Sequence, residues 1–303
     1  MHRGRAYAGL VVCAALWGMV FVSVAELLPH LDATQIVSVR FGLVALGFAV
    51  AFAARPALLP RLRGVEWALI ALCGVLAVPG SQYAIVEAQN YLSPPLASLI
   101  VTSSPAIAAV FAATFLRDRL TVLQAVGFAV ALAGVTLILL IGAGSGSSAH
   151  HSSPLGAAIA LITPISWALY TLALKPLAGR HAPVGTVGVV MIAGAIALSP
   201  TFGAAATALH TMSGHDWAWM LALVLGFSIV PNILWFESLR HLPVHQTTAF
   251  MYVIPVFATI GTGLVLGREP GAITIPGGLL VVAGVALAQW PSGERRALRA
   301  VED

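Results

Sequence analysis

The sequence predicts an all-α membrane protein with ten transmembrane helices arranged as two inverted five-helix repeats. Three observations support this fold class: an apolar composition, an internal repeat, and basic residues that fall at one end of successive apolar runs. Hydrophobic residues make up 59% of the 303-residue chain, and charged residues only 9%. A soluble core of this size cannot bury so much apolar surface, so the composition indicates an integral membrane protein.

The internal repeat relates residues 83–137 to residues 233–287 without a gap. Chance identity is common in a chain rich in Ala, Val, Leu and Gly, so matches between rarer residue types are the stronger evidence for a repeat. The rarer residues that recur at the same spacing are Glu87 and Glu237, Pro105 and Pro255, Gly127 and Gly277, and Trp17 and Trp167. The chain is therefore predicted to contain two copies of one membrane unit.

Ten apolar runs are each close to the roughly 20 residues that a helix needs to cross a bilayer. They cover residues 6–27, 33–54, 66–88, 94–116, 121–141, 155–176, 183–203, 216–238, 244–266 and 272–290. The predicted organisation is a first repeat at 1–141, a linker loop at 142–153, a second repeat at 154–290 and a tail at 291–303. The linker is rich in Gly, Ser and His, which is typical of a flexible connection.

The basic residues predict the orientation of these helices. If every run crosses the membrane, all basic residues except Arg40 and Arg268 lie on one side. Positive residues are enriched in cytoplasmic loops, so both termini are predicted to be cytoplasmic. Five crossings are an odd number, so the second copy is inverted, as in many secondary transporters. Lys175 is the only lysine among many arginines, a bias typical of GC-rich bacteria, which predicts the inner (plasma) membrane of a bacterial cell.

Several segments resemble the EamA-type transporters of the drug/metabolite transporter superfamily. The resemblance runs over nearly the whole chain, and its segments are residues 92–100 with Pro105, residues 115–120, residues 239–244 with Pro255, and residues 266–269. No single segment is diagnostic, but two copies in register are. The resemblance implies ten helices in two inverted repeats that move amino acids or other small metabolites, often outward.

Arg40 is the first candidate for a functional residue because it lies well inside an apolar run. A charge at the bilayer centre costs roughly 2.5–3.5 kcal/mol on insertion scales, so it normally faces a partner or a wet cavity. Glu87 and Glu26 lie near the same predicted end of their helices. Two interpretations are open: a structural Arg/Glu pair or interfacial carboxylates, and an Arg40 that binds a substrate carboxylate or pairs reversibly with Glu87.

Glu237 is the inverted copy of Glu87 and is predicted near the cytoplasmic end of its helix, close to Lys175 and Arg240. It is a candidate for a gate or for proton coupling, and the alternative is an ion pair with Arg240 within one helix. Asn232 and its mirror residue Gln82 form a pseudo-symmetric polar pair. Amides deep in hydrocarbon need hydrogen-bond partners, so this pair is predicted to line the central cavity.

Prolines and aromatic residues complete the candidate site. Pro105 and Pro255 fall near the middle of predicted helices, where each removes a backbone hydrogen bond and predicts a helix bend. The aromatic candidates for a substrate cage are Trp17, Trp167, Tyr83, Tyr170 and Tyr252. Aromatic residues at helix ends also belong to the interfacial belt, but both tryptophans lie deep in their helices, which favours a cavity or a helix contact.

The predicted function is a secondary transporter of a small-molecule substrate, working by alternating access through a midplane cavity. Two other classes are open: an intramembrane enzyme acting on a lipid or small molecule, and a non-transporting structural protein. No nucleophile accompanies Glu87, Glu237 or His241 in sequence, so the transporter is favoured over an enzyme. Besides its substrate, membrane lipid is the predicted partner, with no nucleic acid and no cofactor. Histidines such as His210 and His215 lack a carboxylate cluster beside them in sequence, so no metal site is predicted.

Overall fold

The computed structural model describes residues 3–107, 153–242, 247–248, 250–267 and 274–288, with isolated residues between 111 and 137. Every regular element in this part of the chain is a helix. The helices are α1 (Arg3–Leu27), α2 (Ala33–Ala54), α3 (Val65–Ala88), α4 (Pro94–Val101), α5 (Pro154–Ala178), α6 (Pro183–Ala197), α7 (Phe202–Thr211), α8 (Gly214–His241), α9 (Ile254–Leu266) and α10 (Thr274–Ala288).

Five of the described helices, α1, α2, α3, α5 and α8, are long and apolar enough to cross a membrane. A sixth span is formed if α6 and α7, which meet at a bend of 56°, are counted together. The chain is therefore a multi-pass membrane protein. The helices α9 and α10 are apolar but shorter, so ten crossings stay a prediction.

Several predicted segments differ from the observed helices or lie outside the described residues. The run predicted at 94–116 is helical only to Val101, is interrupted at Thr102 and Ser103, and resumes over 104–107. The run predicted at 183–203 continues through the bend to Thr211. Most of the run at 121–141, the linker at 142–153 apart from Ser153, and the tail at 291–303 lie outside the described residues.

Side-chain caps fix where two of the long helices begin. Asp32 precedes α2, and its carboxylate accepts a hydrogen bond from the backbone N–H of Gln35 at 2.8 Å while the Gln35 side chain bonds back. Ser213 and Asp216 form the same reciprocal pair at the start of α8. These contacts satisfy N–H groups that have no partner within the helix, so they define the first turns of α2 and α8.

The two halves of the chain interlock through close helix contacts. The helix α1 packs on α8 and α9, α2 packs on α6 and α7, and α3 packs on α5 and α6. Small residues allow these approaches: a Cβ atom at Gly74 would lie 2.6 Å from the backbone nitrogen of Gly194, and one at Gly18 would lie 2.6 Å from Cβ of Phe257. Glycine at such contacts lets helix backbones approach closely in the membrane.

Both α3 and α8 contain a π-helical segment. The α3 segment runs over Leu76–Tyr83 and includes Pro79, and the α8 segment runs over Ala222–Ile229 and is followed by Pro231. A proline lacks an N–H group and its ring excludes the carbonyl one turn earlier, so the helix must widen or bend beside it. Such wide turns expose backbone and side-chain polar groups and are frequent at functional sites.

The contact between α3 and α6 gives a test of the packing. Gly74→Ala places its Cβ against the Gly194 backbone, which cannot move as a flexible side chain would. We expect it to lower the free energy of unfolding by about 1–3 kcal/mol, measured as the thermal unfolding midpoint in detergent. Gly47→Ala is the control, because a Cβ at Gly47 meets nothing within 4 Å. Equal midpoints for the two variants would contradict the close approach of α3 to α6.

Candidate functional site

Arg40 lies at the centre of the candidate site. Its side chain is on α2 and is only 2% exposed. Its Nε donates a hydrogen bond to Oγ of Ser228 at 2.8 Å, and one Nη donates to Oε1 of Gln82 at 3.0 Å. Gln82 lies in the π segment of α3, and Ser228 lies in the π segment of α8. One buried guanidinium therefore joins both π segments and both halves of the chain.

No carboxylate among the described residues forms an ion pair with Arg40. The predicted partners bind elsewhere: Glu87 accepts a hydrogen bond from Nδ2 of Asn90 at 3.3 Å, and Glu26 lies 3.5 Å from Nε2 of His215. Arg40 and Glu87 are therefore not paired in this structure, and their reversible pairing stays one of the open interpretations, because equal depth in the membrane does not by itself put two side chains on facing helix surfaces. A guanidinium has five N–H groups, and two hydrogen bonds leave others available to an anion.

Ser228 connects the predicted polar pair. Its Oγ accepts from Arg40, which also bonds Gln82, and its backbone carbonyl accepts a hydrogen bond from Nδ2 of Asn232 at 2.7 Å. Oδ1 of Asn232 is buried without a partner among the described residues. The structure thus brings Gln82 and Asn232 into one network. Sequence analysis missed Ser228, and the available signal was a hydroxyl one helical turn before the deep amide of Asn232.

An aromatic cluster lies beside this network. The rings of Trp17 and Trp167 pack edge to face with centroids 5.1 Å apart. Trp235 is 5.2 Å from Trp17 and 5.8 Å from Trp167, and Tyr170 is 5.0 Å from Trp167. The two repeat-related tryptophans therefore meet, as a cavity or helix contact requires. Trp235 has an isoleucine at its repeat-related position, residue 85, so the repeat gave no signal for it.

A cleft opens next to the aromatic cluster and holds about 430 Å³ of empty space, including its open part. Its lining comes from both halves of the chain and includes Trp17, Phe21, Ser81, Gln82, Thr163, Trp167, Met251 and Ile254. Gln82 is therefore the point at which the Arg40 network reaches the cleft. Oγ of Ser81 and Nε1 of Trp167 are buried there without partners among the described residues. The cleft combines apolar walls with a few polar atoms, as small-molecule sites do.

Two predicted aromatic residues lie away from this cleft. The hydroxyl of Tyr83 contacts Oγ1 of Thr34 at 2.9 Å, near the start of α2. Tyr252 lines a separate apolar pocket with Leu99 and Pro255. In this structure neither tyrosine lines the cleft beside Trp17 and Trp167, so their part in a substrate cage stays a prediction. The neighbours Gln82 and Met251 line the cleft instead, because a shift of one residue along a helical turn moves a side chain to another face.

Both predicted bend prolines follow an interruption in their helices. Pro105 comes just after the break at Thr102 and Ser103, and Pro255 is the second residue of α9, after the 3₁₀ turn Phe250–Val253. The hydroxyl of Thr102 donates to the carbonyl of Leu99, which satisfies an acceptor at the first break. Each proline therefore begins a new helical segment at the equivalent place in the two copies, where a proline is best tolerated.

The predicted gate residues at the end of α8 form contacts that differ from the prediction in part. Glu237 lies 3.0 Å from an Nη of Arg240 and 2.8 Å from Nε2 of His241, both on its own helix. This is the intrahelical alternative. Lys175 does not bind Glu237 but donates from Nζ to the backbone carbonyls of Leu239 at 2.6 Å and Leu242 at 3.3 Å. Lysine here satisfies carbonyls that have no partner at a helix end.

The Ser228 link gives a test of the network. Ser228→Ala removes the acceptor for Nε of buried Arg40, so we expect the free energy of unfolding to fall by about 1–3 kcal/mol. Ser23→Ala is the matched control, because buried Ser23 donates only to a carbonyl of its own helix, that of Met19. The measurement is the thermal unfolding midpoint in detergent. An equal shift in the two variants would contradict a structural role for the bond to Arg40.

Comparison with known proteins identifies the family of this chain. The model of the EamA-like transporter family matches residues 4–140 and again residues 154–290. A solved crystal structure shares the fold with a TM-score of 0.67, over 99% of each chain and at 18% identity.

Among curated relatives, a probable terminal-alkyne amino-acid exporter of Streptantibioticus cattleyicolor is 27% identical, over 95% of this chain and 94% of its own. A probable amino-acid metabolite efflux pump of Escherichia coli is 25% identical, over 99% of each chain. An uncharacterised transporter of Archaeoglobus fulgidus is 24% identical over 91% of this chain. Because the family model matches both halves, the chain belongs to the EamA-like transporter family and is a membrane transporter.

Proposed function

We propose that this transporter exports amino acids or similarly small metabolites by alternating access, and that its substrate occupies the cleft beside Trp17 and Trp167. The observation that carries the proposal is Arg40, a buried cation bridged to both halves with no carboxylate partner among the described residues. We further propose ten transmembrane helices in two inverted repeats, with both termini in the cytoplasm of a bacterial cell.

A substrate carboxylate suits the Arg40 network. A buried cation needs a counter-ion or hydrogen bonds, and a carboxylate matches the planar guanidinium in two parallel bonds. Gln82 already touches both Arg40 and the cleft. A carboxylate that arrives beside Gln82 can therefore reach the guanidinium after a small movement of that side chain. When the substrate leaves, Gln82 and Ser228 again satisfy Arg40.

The remaining groups of an amino acid have matching partners. The tryptophan faces of the aromatic cluster attract an ammonium group and bury an apolar side chain. Within the described residues, Oδ1 of Asn232 is a buried acceptor without a partner, and Nε1 of Trp167 and of Trp235 are buried donors without partners; Trp167 is the one of these three that lines the cleft. Buried polar atoms of this kind are usually satisfied by a ligand or an ordered water. The names of two relatives, an amino-acid exporter and an amino-acid metabolite efflux pump, support the same substrate class.

Contacts at the two ends of the helices support alternating access. At the end predicted to be cytoplasmic, Glu66 at the start of α3 lies 3.3 Å from Arg180 and 3.2 Å from His181, which follow α5. At the opposite end, Glu26 lies 3.5 Å from His215. Each contact joins one half of the chain to the other. Opening of the cleft to either side requires the contacts at that end to separate while those at the other end hold.

The proposed function is tested by reconstitution in liposomes. Counterflow is measured with a panel of labelled amino acids and small metabolites, with and without a pH gradient. We expect saturable counterflow of at least one amino acid. Absence of flux for every compound, together with turnover of a lipid or small molecule, would favour an enzyme and contradict the proposal.

Substitution of Arg40 is the most direct test of the proposed site. Arg40→Gln keeps a polar side chain but removes the charge, so we expect counterflow of the best substrate to fall at least about tenfold, the equivalent of one lost charge-assisted hydrogen bond. Asn232→Ala is expected to lower flux in the same direction. The control is Arg61→Gln, which removes a charge from an exposed site. Wild-type flux in both Arg40→Gln and Asn232→Ala would contradict the proposed site.

The topology is tested by cysteine labelling in intact cells. The native Cys13 and Cys73 are buried free thiols, so we expect the reagent not to label them. An impermeant maleimide is expected to label Ser147→Cys, in the linker, from outside the cell. It is expected to label Leu59→Cys, at an exposed site after α2, only after the membrane is made permeable. The reverse pattern would contradict the cytoplasmic location of the termini, and labelling of both from one side would contradict five crossings per repeat.

A further inference from the structure

A second group of side chains lies where α1 ends and α8 begins, far along α1 from Trp17. It consists of Glu26, His30, His215 and Asp216, which we call the histidine–carboxylate cluster. Nδ1 of His30 lies 2.7 Å from Oδ1 of Asp216, and Nε2 of His215 lies 3.5 Å from Oε2 of Glu26. Glu26 and His30 come from the first half of the chain, and His215 and Asp216 from the second.

Three of the four side chains place their ligand atoms close together. One atom each from His30, His215 and Asp216 lie within 4.8 Å of one another. Around a tetrahedral zinc ion with bonds of about 2.0–2.1 Å, ligand atoms are roughly 3.3 Å apart. The observed separations lie on both sides of this value. Because the side chains of His30 and His215 are 54% and 56% exposed, small rotations can bring them to it.

One of the four side chains, that of Asp216, is already held in place. Ser213 bonds Oδ2 of Asp216 through its backbone N–H at 2.9 Å and its hydroxyl at 2.7 Å, which leaves Oδ1 facing His30. Asp216 is 3% exposed, so its position is fixed. Outer contacts that orient a ligand in this way are typical of metal sites.

His215 is placed next to Glu26. Its Nε2 lies 3.1 Å from Nε1 of Trp219, which can only donate, and 3.5 Å from Oε2 of Glu26. The one lone pair of Nε2 can accept either from Trp219 or from an ion. An ion at this position therefore replaces the Trp219 hydrogen bond and is bound by Nε2 together with Glu26.

We infer that the histidine–carboxylate cluster binds a divalent transition-metal ion of the Zn²⁺ class. Imidazole nitrogens with carboxylate oxygens suit Zn²⁺, whereas Mg²⁺ and Ca²⁺ prefer sites built from oxygen alone. Sequence analysis predicts no metal here because the carboxylate of Glu26 and the ring of His30 lie far from His215 along the chain. A bound ion ties the end of α1 to the start of α8, so it holds the two halves together at this end of the molecule.

The test is calorimetric titration of the full-length protein, purified without a polyhistidine tag, with ZnCl₂ and separately with MgCl₂. We expect one Zn²⁺ per chain with micromolar or tighter affinity, and no Mg²⁺ binding. The double variant His30→Ala with His215→Ala removes both imidazole ligands and is expected to bind Zn²⁺ at least about 100-fold more weakly. His210→Ala, an exposed histidine on α7, is the matched control and is expected to bind like the wild type.

Thermal unfolding in the same detergent checks that the ion joins the two halves. Zn²⁺ is expected to raise the unfolding midpoint of the wild type and of His210→Ala, but not of the double variant, because a ligand that binds only the folded state stabilises it. Zn²⁺ binding of equal affinity in the double variant would overturn the site. So would the absence of binding to the wild type at about 100 µM Zn²⁺. Neither result depends on which substrate is transported.

Discussion

The structure depends on how one buried charge is satisfied. Arg40 lies within a membrane helix and has no carboxylate partner among the described residues, so side-chain hydrogen bonds must meet its desolvation cost. Those bonds come from Gln82 and Ser228, on the π segments of α3 and α8. Gln82 and Ser228 reach Arg40 from these wide turns, which lie beside Pro79 and Pro231. The cleft lies where this network meets the tryptophans.

Much of this arrangement could be predicted from sequence, and the features that could not be predicted have identifiable physical reasons. The lengths of the apolar runs predicted the long helices correctly. The break after Val101 and the bend between α6 and α7 were not predicted, because an interruption within an apolar helix does not change the hydropathy. Arg40, Gln82, Asn232 and the pair Trp17 and Trp167 stood out because buried polar groups are costly and because the repeat paired them. Ser228 and Trp235 have no counterpart in the other copy. The contact of Glu87 with Asn90 could not be predicted, because depth alone does not specify the face of a helix.

The two copies share their framework but differ at the site. Pro105 and Pro255 both follow an interruption, and α3 and α8 both carry a π segment. Only the first copy supplies the arginine, and only the second supplies Ser228 and Trp235. In the proposed mechanism, the symmetric framework permits equivalent openings at the two ends, and the asymmetric site orients the substrate. The contacts at the ends also differ, with Glu66 and Arg180 at one and the histidine–carboxylate cluster at the other.

The most direct measurement compares an amino acid with its carboxamide. Binding of the amino acid with the largest counterflow, and of the matching amide, is measured by calorimetry on the wild type and on Arg40→Gln. If Arg40 holds the carboxylate, the wild type binds the amino acid at least about tenfold more tightly than the amide, and the variant loses this preference. Equal binding of the two compounds by the wild type would contradict a carboxylate site at Arg40.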